Sequence, residues 1–438
     1  MHGLPEAFIA RMASRLGDEL PQFLQAMDEP YKRGIRLNPM KPVDVPIPGM
    51  LEAVPWEPCG LYLTLDSQAG AIALHEAGAY YLQEPSAMLP AAVMNPQPGE
   101  TILDLCAAPG GKSTQLALRM QGQGLIVCNE PVPKRAQILA RNIERMGVPN
   151  AIVVSAMPDK LAQRWPEGFD GVQVDAPCSG EGMFRRHPET RDEWTSESPA
   201  GCAKRQAEIL DAAAQLVRPG GRIVYSTCTL NAEENENTVA AFCERHPEFA
   251  VKAFSLPGAD APEGMLTCYP HRMAGEGHFV ALLVREGDAP VRRTRDSSLP
   301  VPDKATLKAY RDFAGAHAPT PQRMLGSVMT CLDDCPDLRG LKVLRCGLHL
   351  GEVRGKLFMP DHAWAVSQCR PDCPSVPLTE AQAAAYLAGE VITVDESSRG
   401  WVLPTLHGLV LGWGKASGGM MKNHYPKGLR RTTSQMDE

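Results

Sequence analysis

The sequence predicts an α/β protein built on a doubly wound, mostly parallel sheet, with a small α+β region before it and mixed α/β and β regions after it. Three observations predict this. Between about residues 80 and 285, short apolar runs alternate with helix-period segments, the pattern of βαβ units. Three of the runs lead into loops of unusual chemistry, Asp104 to Lys112, Asp175 to Gly182 and Ser226 to Thr229, and ligands in such sheets lie beyond the carboxyl ends of the strands. A chain of 438 residues also exceeds what one core holds, so several domains are expected.

Leu4, Phe8, Met12 and Leu16 recur at helical spacing ahead of Gly17, which predicts an amphipathic first helix. Pro39, Pro42, Pro46, Pro48, Pro55 and Pro58 then favour extended chain and turns. In the central region strands are expected at Thr101 to Leu105, Leu125 to Cys128, Ala151 to Val154, Gly171 to Val174 and Arg222 to Ser226. Helices are expected at Ser113 to Met120, Lys134 to Met146 and Ala203 to Val217, the last two stopped by Gly147 and by Pro219-Gly220-Gly221. Glu286 to Ala305 is aperiodic and holds Arg292-Arg293-Thr294-Arg295, the composition of a linker. The expected division is 1–78, 79–285, a linker 286–305, then 306–378 and 379–438.

Composition bounds the function. With 44% hydrophobic and 22% charged residues the chain reads as an ordinary soluble protein. No basic stretch followed by an apolar run opens it, and no segment approaches membrane-spanning length. Its 13 cysteines are read as reduced thiols, which places it in the cytoplasm with no membrane partner. The net charge of −7 argues against a chain coated in nucleic acid. Yet Arg399, Lys415, Lys422, Lys427, Arg430 and Arg431 fall in a stretch without Asp or Glu that also carries Trp401, Trp413 and Tyr425. Cations among aromatics fit phosphate contact and base stacking; the plainer reading is the solvated face of a small β domain.

The chemistry lies in the loops. Gly110-Gly111-Lys112-Ser113 invites a phosphate-binding reading, but that motif needs a glycine where Cys106 stands. Glu130 lies 20 residues beyond Gly110, the spacing at which a carboxylate takes a ribose diol. An adenosine cofactor without a phosphate clamp fits better, S-adenosylmethionine above all. Cys178 and Cys228 each follow a strand, and Asp175 stands three residues before Cys178. A thiolate adding to carbon 6 of cytosine would make carbon 5 nucleophilic. Asp175, held neutral or sharing a proton, could steady the ring. The pattern alone does not choose between Cys178 and Cys228 as nucleophile. Cys331, Cys335, Cys346, Cys369 and Cys373 include zinc-like spacings without partner histidines, and His187-Pro188-Glu189 lacks the downstream cysteines of a deaminase, so no metal is expected.

Asp104-Leu105-Cys106-Ala107-Ala108-Pro109-Gly110-Gly111-Lys112, Asp175-Ala176-Pro177-Cys178-Ser179-Gly180 and Tyr225-Ser226-Thr227-Cys228-Thr229 resemble the signature loops of the Nop/Sun (Fmu-like) RNA cytosine-5 methyltransferases. Glu181-Gly182-Met183-Phe184-Arg185, and the tail from Leu411-Gly412-Trp413-Gly414-Lys415 to Lys422-Asn423-His424-Tyr425-Pro426-Lys427-Gly428, are similar to the RsmF type within it. The resemblance implies a Rossmann-like S-adenosylmethionine core, a PUA-like RNA-binding tail and 5-methylcytosine formation in small-subunit 16S rRNA; a monomer is the default expectation, and no DNA partner is expected. It implies Cys228 as nucleophile, Cys178 as the aid to product release, and Asp175 and Lys112 at the cytosine. It also implies a cofactor site of Cys106, Ala107, Ala108, Pro109, Gly110, Gly111, Lys112, Glu130, Arg135 and Asp175. Near the adenine this chain offers Ser155 or Met157 where the family carries Asp or Asn, and Arg36-Leu37-Asn38 resembles a motif of a domain that helps hold RNA. The alternatives are the same chemistry on tRNA or another RNA, a non-catalytic assembly factor, and a nucleotide hydrolase.

Overall fold

Near-continuous burial along a run of short strands builds the central sheet of the computed structural model, which describes residues 3–292, 298–315 and 318–430. Arg293, Thr294 and Arg295 of the expected linker and Arg431 of the basic tail lie outside the described residues. The strands are β1 (Thr101–Asp104), β2 (Leu125–Asn129), β3 (Ala151–Ser155), β4 (Phe169–Asp175), β5 (Val217–Thr227), β6 (Phe249–Val251), β7 (Met265–Cys268), β8 (His278–Arg285) and β9 (Lys342–Cys346). Their order is β6-β8-β5-β4-β1-β2-β3-β9, with β7 paired to β8. The five strands β1 to β5 run parallel, while β8 and β9 flank them antiparallel.

Helices α1 (Gly111–Arg119), α2 (Pro133–Arg145), α3 (Pro158–Arg164), α4 (Ser198–Leu216) and α5 (Glu236–Arg245) follow the successive parallel strands and cover both faces. Leu103, Val127, Ile152, Val172 and Ile223 bury toward Trp165, Leu210 and Phe242. Their sequence neighbours Ile102, Ile126, Val153 and Val224 bury toward Leu116, Leu139 and Ile143. A strand hydrophobic on both faces needs helices on both sides, so the doubly wound Rossmann-like expectation holds. The chain leaves β1 toward β3 on one side and returns to β4 and β5 on the other. The reversal falls between β1 and β4, where ligands bind in open α/β sheets.

Strand β9 comes from beyond the linker, inside the segment expected as a separate mixed region, and extends the core sheet at β3. The rest of that segment forms a four-stranded antiparallel sheet with helices Lys304–Ala314 and His362–Val366. Ahead of the core, helices Glu6–Leu16 and Leu20–Asp28 bury Phe8, Met12 and Phe23 against Phe184 and Leu230, which follow Cys178 and Cys228 in the chain.

Two expectations are corrected by burial. Arg36 and Asn38, of the motif associated with holding RNA, are 1% and 2% exposed. Arg36 Nε donates to Gln83 Oε1 at 3.0 Å and its Nη2 donates to Thr114 Oγ1 at 2.7 Å. Asn38 Nδ2 donates to the Gly78 and Met146 carbonyls at 2.8 and 3.0 Å. These side chains dock the N-terminal sheet onto α1 and the end of α2; they present nothing to RNA. In the tail, Trp413 and Tyr425 are core residues, packed with Trp364 and with Tyr386. A small β domain needs its largest apolar surfaces inside. Trp401 is half-buried under Lys415 and His424, so base stacking on this tail is not built in, while Lys415, Lys422, Lys427 and Arg430 stay exposed.

Replacing Arg36 by Ala strips the Gly111 carbonyl, Gln83 and Thr114 of a shared donor in a dry site. Urea unfolding should show roughly 2–4 kcal/mol lost, whereas exposed Arg399→Ala should fall within about 0.5 kcal/mol of the parent.

Candidate active site

The loop expected to hold the cofactor joins β1 to α1. Asp104 ends β1 fully buried, and burial pushes its carboxyl up to about 7. Ser113 Oγ donates to its Oδ2 at 2.6 Å, but Oδ1 has no partner. Gly110 adopts φ +116°, and a Cβ there would sit 3.2 Å from Leu139 Cδ1, so this residue faces α2. A cavity of ≈ 170 Å³ is lined by Asp104, Cys106, Ala107, Ala108, Pro109, Gly111, Lys112 and Asp175 together with Tyr81, Gln83 and Glu84. Gly110, Glu130 and Arg135 do not line it. Glu130 is buried, accepts from the Val132 amide at 2.9 Å and pairs with Arg135 at 3.3 Å. Arg135 Nη2 also donates to the Ala108 carbonyl at 3.1 Å, tying the acid to the loop. Ser155 Oγ donates to the Pro131 carbonyl at 3.2 Å and Met157 is 62% exposed.

Across the strand-order reversal, Lys112 Nζ donates to Asp175 Oδ2 at 2.8 Å, and Ser226 Oγ donates to Oδ1 at 2.9 Å. Burial opposes ionisation of Asp175, but the Lys112 ammonium, with these hydrogen bonds, outweighs it and holds the carboxyl below its usual range. Asp175 is therefore ionised in the free protein, rather than neutral as one of the two expected forms had it. The two thiols meet: Cys178 Sγ lies 3.2 Å from Cys228 Sγ. Contact with Cys228, reinforced by burial, pushes the Cys178 thiol well up. Burial does the same to Cys106, which marks it as an inert thiol.

Two buried acids given no role by sequence reasoning fix the cysteine loops together. Glu234 accepts from the Ser179 amide at 3.0 Å, Gln206 at 2.8 Å and Asn231 at 2.7 Å. Glu181 accepts from the Leu230 amide at 3.1 Å and from Arg11 at 2.9 Å, while the Gly182 amide donates to the Cys228 carbonyl at 2.9 Å. His278 is a third missed residue, 3.9 Å from Asp175; the only signal for it was its place at the head of the strand beside Cys228. No group of three or more potential metal ligands occurs among the described residues, and His187 pairs with Glu189 on the surface.

Four family descriptions match successive parts of the chain: "16S rRNA methyltransferase RsmB/F" over residues 91–284, an RsmF N-terminal domain over 4–85, an RsmF first C-terminal domain over 320–367 and an RsmF PUA domain over 373–431. Ribosomal RNA small subunit methyltransferase F of Cronobacter sakazakii is 33% identical over 98% of this chain and 96% of its own length. The chain belongs to the RsmF branch of the RsmB/F methyltransferase family. The Klebsiella pneumoniae protein of the same name is 32% identical with the same coverage. A solved methyltransferase homologue from Pyrococcus horikoshii is 26% identical with a TM-score of 0.56, covering 65% of this chain and 96% of that one.

Like its family, the chain is an S-adenosylmethionine-dependent methyltransferase. The residues fit that cofactor: the orphaned, buried Asp104 Oδ1 at the foot of the cavity is an acceptor waiting for a cationic amine, and Glu130 offers a carboxylate at ribose spacing.

Two outcomes are expected. An unfolded Asp carboxyl ionises near ~4, whereas Asp104 ionises at about 7 when folded. Its raised value favours the fold fully below pH ~4, and that advantage is lost as pH rises through about 7. Asp104→Asn has no such titration, so the stability of the parent relative to the variant should fall between those limits in urea titrations. Glu181→Ala should loosen both cysteine loops and lower kcat about ten- to hundredfold, with cofactor affinity unchanged by calorimetry.

Proposed function

We propose that this chain forms 5-methylcytosine in 16S rRNA of the small ribosomal subunit through a covalent bond between Cys228 and the target cytosine. The observation that carries this reading is the contact of two thiols at 3.2 Å beside the Lys112–Asp175 pair. Two sulfurs in contact do not share one role: contact and burial hold the proton on Cys178, which suits it to donate, and the resemblance of the Tyr225-Ser226-Thr227-Cys228-Thr229 loop to the family's makes Cys228 the nucleophile.

Cys228 adds to C6, and the electron pair of the C5–C6 double bond moves toward C5 and the ring. Asp175 faces the ring, and the Lys112 ammonium paired with it supplies the positive charge that offsets the negative charge developing there. Cofactor residues Cys106 to Lys112, with Glu130 and Arg135 behind them, hold S-adenosylmethionine, which when bound supplies an electrophilic methyl group. After transfer, the C5 proton passes to water as the C6–S bond breaks and its electrons return to Cys228. Cys178, donating to that departing sulfur, lowers the barrier to release.

The exposed cations Lys415, Lys422, Lys427 and Arg430 support phosphate contact by the PUA-like tail. On this reading residues 79–285 carry the chemistry, 1–78 and strand β9 of 306–378 brace it, and 379–438 contacts RNA. The protein acts as a monomer in the cytoplasm, where its 13 free cysteines stay reduced, without DNA or membrane partners. No helix among the described residues is long and apolar enough to cross a membrane.

The test is transfer of labelled methyl from S-adenosylmethionine to 16S rRNA and to tRNA prepared from cells lacking this protein, with the product digested to nucleosides. Label should appear as 5-methylcytidine in 16S rRNA alone, and Cys228→Ala should lower the rate by at least about 10³-fold. Label in tRNA, or a Cys228→Ala enzyme that still turns over, would reject this reading.

A further inference from the structure

His278 opens β8 and has no part in the chemistry above. The Phe279–Thr227 pairing sets it one residue beyond the last rung of the β5–β8 ladder, beside the turn into Cys228. It is 3% exposed, and its Nε2 has no hydrogen-bond partner. A buried polar atom left unpaired is costly and needs an explanation. Asp175 Oδ1 lies 3.9 Å away, beyond hydrogen-bond range. Asp175 itself is fixed, by Lys112 from α1 on one oxygen and Ser226 from β5 on the other. An imidazole nitrogen and a carboxylate oxygen thus lie side by side at 3.9 Å, too far apart to bond each other and close enough to share one partner. Burial, with the Lys112 ammonium nearby, pushes the imidazole down to about 3 against the pull of Asp175. The ring is neutral at any working pH, and one of its nitrogens keeps a lone pair.

Two acceptors side by side suit a group with two hydrogens. Carbon 4 of cytosine carries such a group, an amine. Carbon 4 of uracil carries a carbonyl oxygen, whose lone pairs would confront both acceptors. Resting on the cytosine reading above, we propose that His278 acts with Asp175 to read the C4 amino group of the target base and so selects cytosine over uracil. His278 carries its hydrogen on Nδ1 and accepts one amine hydrogen at Nε2, while Asp175 accepts from the same edge. No bond is made or broken at His278; it is a specificity residue that touches the substrate. A site built around a hydrogen bond rejects the analogue that cannot make it far more strongly than an apolar wall does.

The test uses full-length protein and two rRNA transcripts, identical except for cytosine or uracil at the position mapped by nucleoside analysis. Methyl transfer gives kcat/KM on each for the parent, His278→Phe and His278→Gln, the last keeping an acceptor oxygen. The parent should prefer cytosine strongly, and His278→Phe should lower the cytosine-to-uracil ratio about ten- to hundredfold, mainly by loss on the cytosine transcript. His278→Gln should keep the ratio within about threefold of the parent. If His278→Phe does not fold, His278→Met carries the same expectation. Equal losses on both transcripts with an unchanged ratio overturn the proposal and leave only a packing role, as does His278→Gln behaving like His278→Phe. A parent that methylates neither transcript refutes the underlying cytosine methyltransferase reading, and the proposal with it.

Discussion

The ion pair between Lys112 and Asp175 spans the point where strand order reverses, and the rest of the site is arranged around it. Lys112 comes from the first turn of α1, after the cofactor loop; Asp175 ends β4, at the head of the loop that bears Cys178. One hydrogen-bonded contact therefore sets the distance between the Gly-rich loop and the cysteine loops. The pair is only partly dry, with Asp175 31% exposed at its side chain, so solvent tempers the attraction. It retains enough to keep both charges, which a lone buried carboxylate would not: Asp104, at the other end of the loop that leads to Lys112 and without a cation in contact, is held protonated up to about 7.

Holding two thiols together requires more than the sheet supplies. Loops at strand ends are free to move unless their backbone groups are claimed elsewhere. Here Glu234 and Glu181 claim them, each fully buried and each bonded to both cysteine loops or to an element packed on them. Arg11 reaches Glu181 from the N-terminal helix, whose apolar face covers Phe184 and Leu230. The N-terminal domain is thus part of the frame of the active site. Arg36 makes a second such attachment, from the N-terminal sheet to the start of α1.

Much of this was legible in the sequence, for a physical reason. Strands and helices of a doubly wound sheet are written in local periodicity, and the chemistry collects in the turns that follow, so β1 to β5 and α1, α2 and α4 lie within about five residues of their expected places, whereas α3, α5 and β6 to β8 were not singled out. Local patterns say nothing about who meets whom across the chain. Strand β9 pairs with β3 across nearly two hundred residues, between a short apolar run and a strand that already looked complete. Arg36, Trp413 and Tyr425 looked like RNA-facing groups because cations and aromatics look alike whether they meet a partner outside or a core inside. His278 was hidden for the same cause: a histidine at the start of a strand carries no mark until the neighbouring strand is known.

The most direct test of the central claim, that Cys228 attacks while Cys178 assists release, is to express Cys178→Ala in cells, denature the protein and look for covalently attached RNA. An adduct should accumulate, its RNA should sequence as 16S rRNA, and the Cys228→Ala, Cys178→Ala double variant should carry none. An adduct that persists in the double variant would remove Cys228 as the nucleophile. No adduct in the single variant would contradict the role given to Cys178.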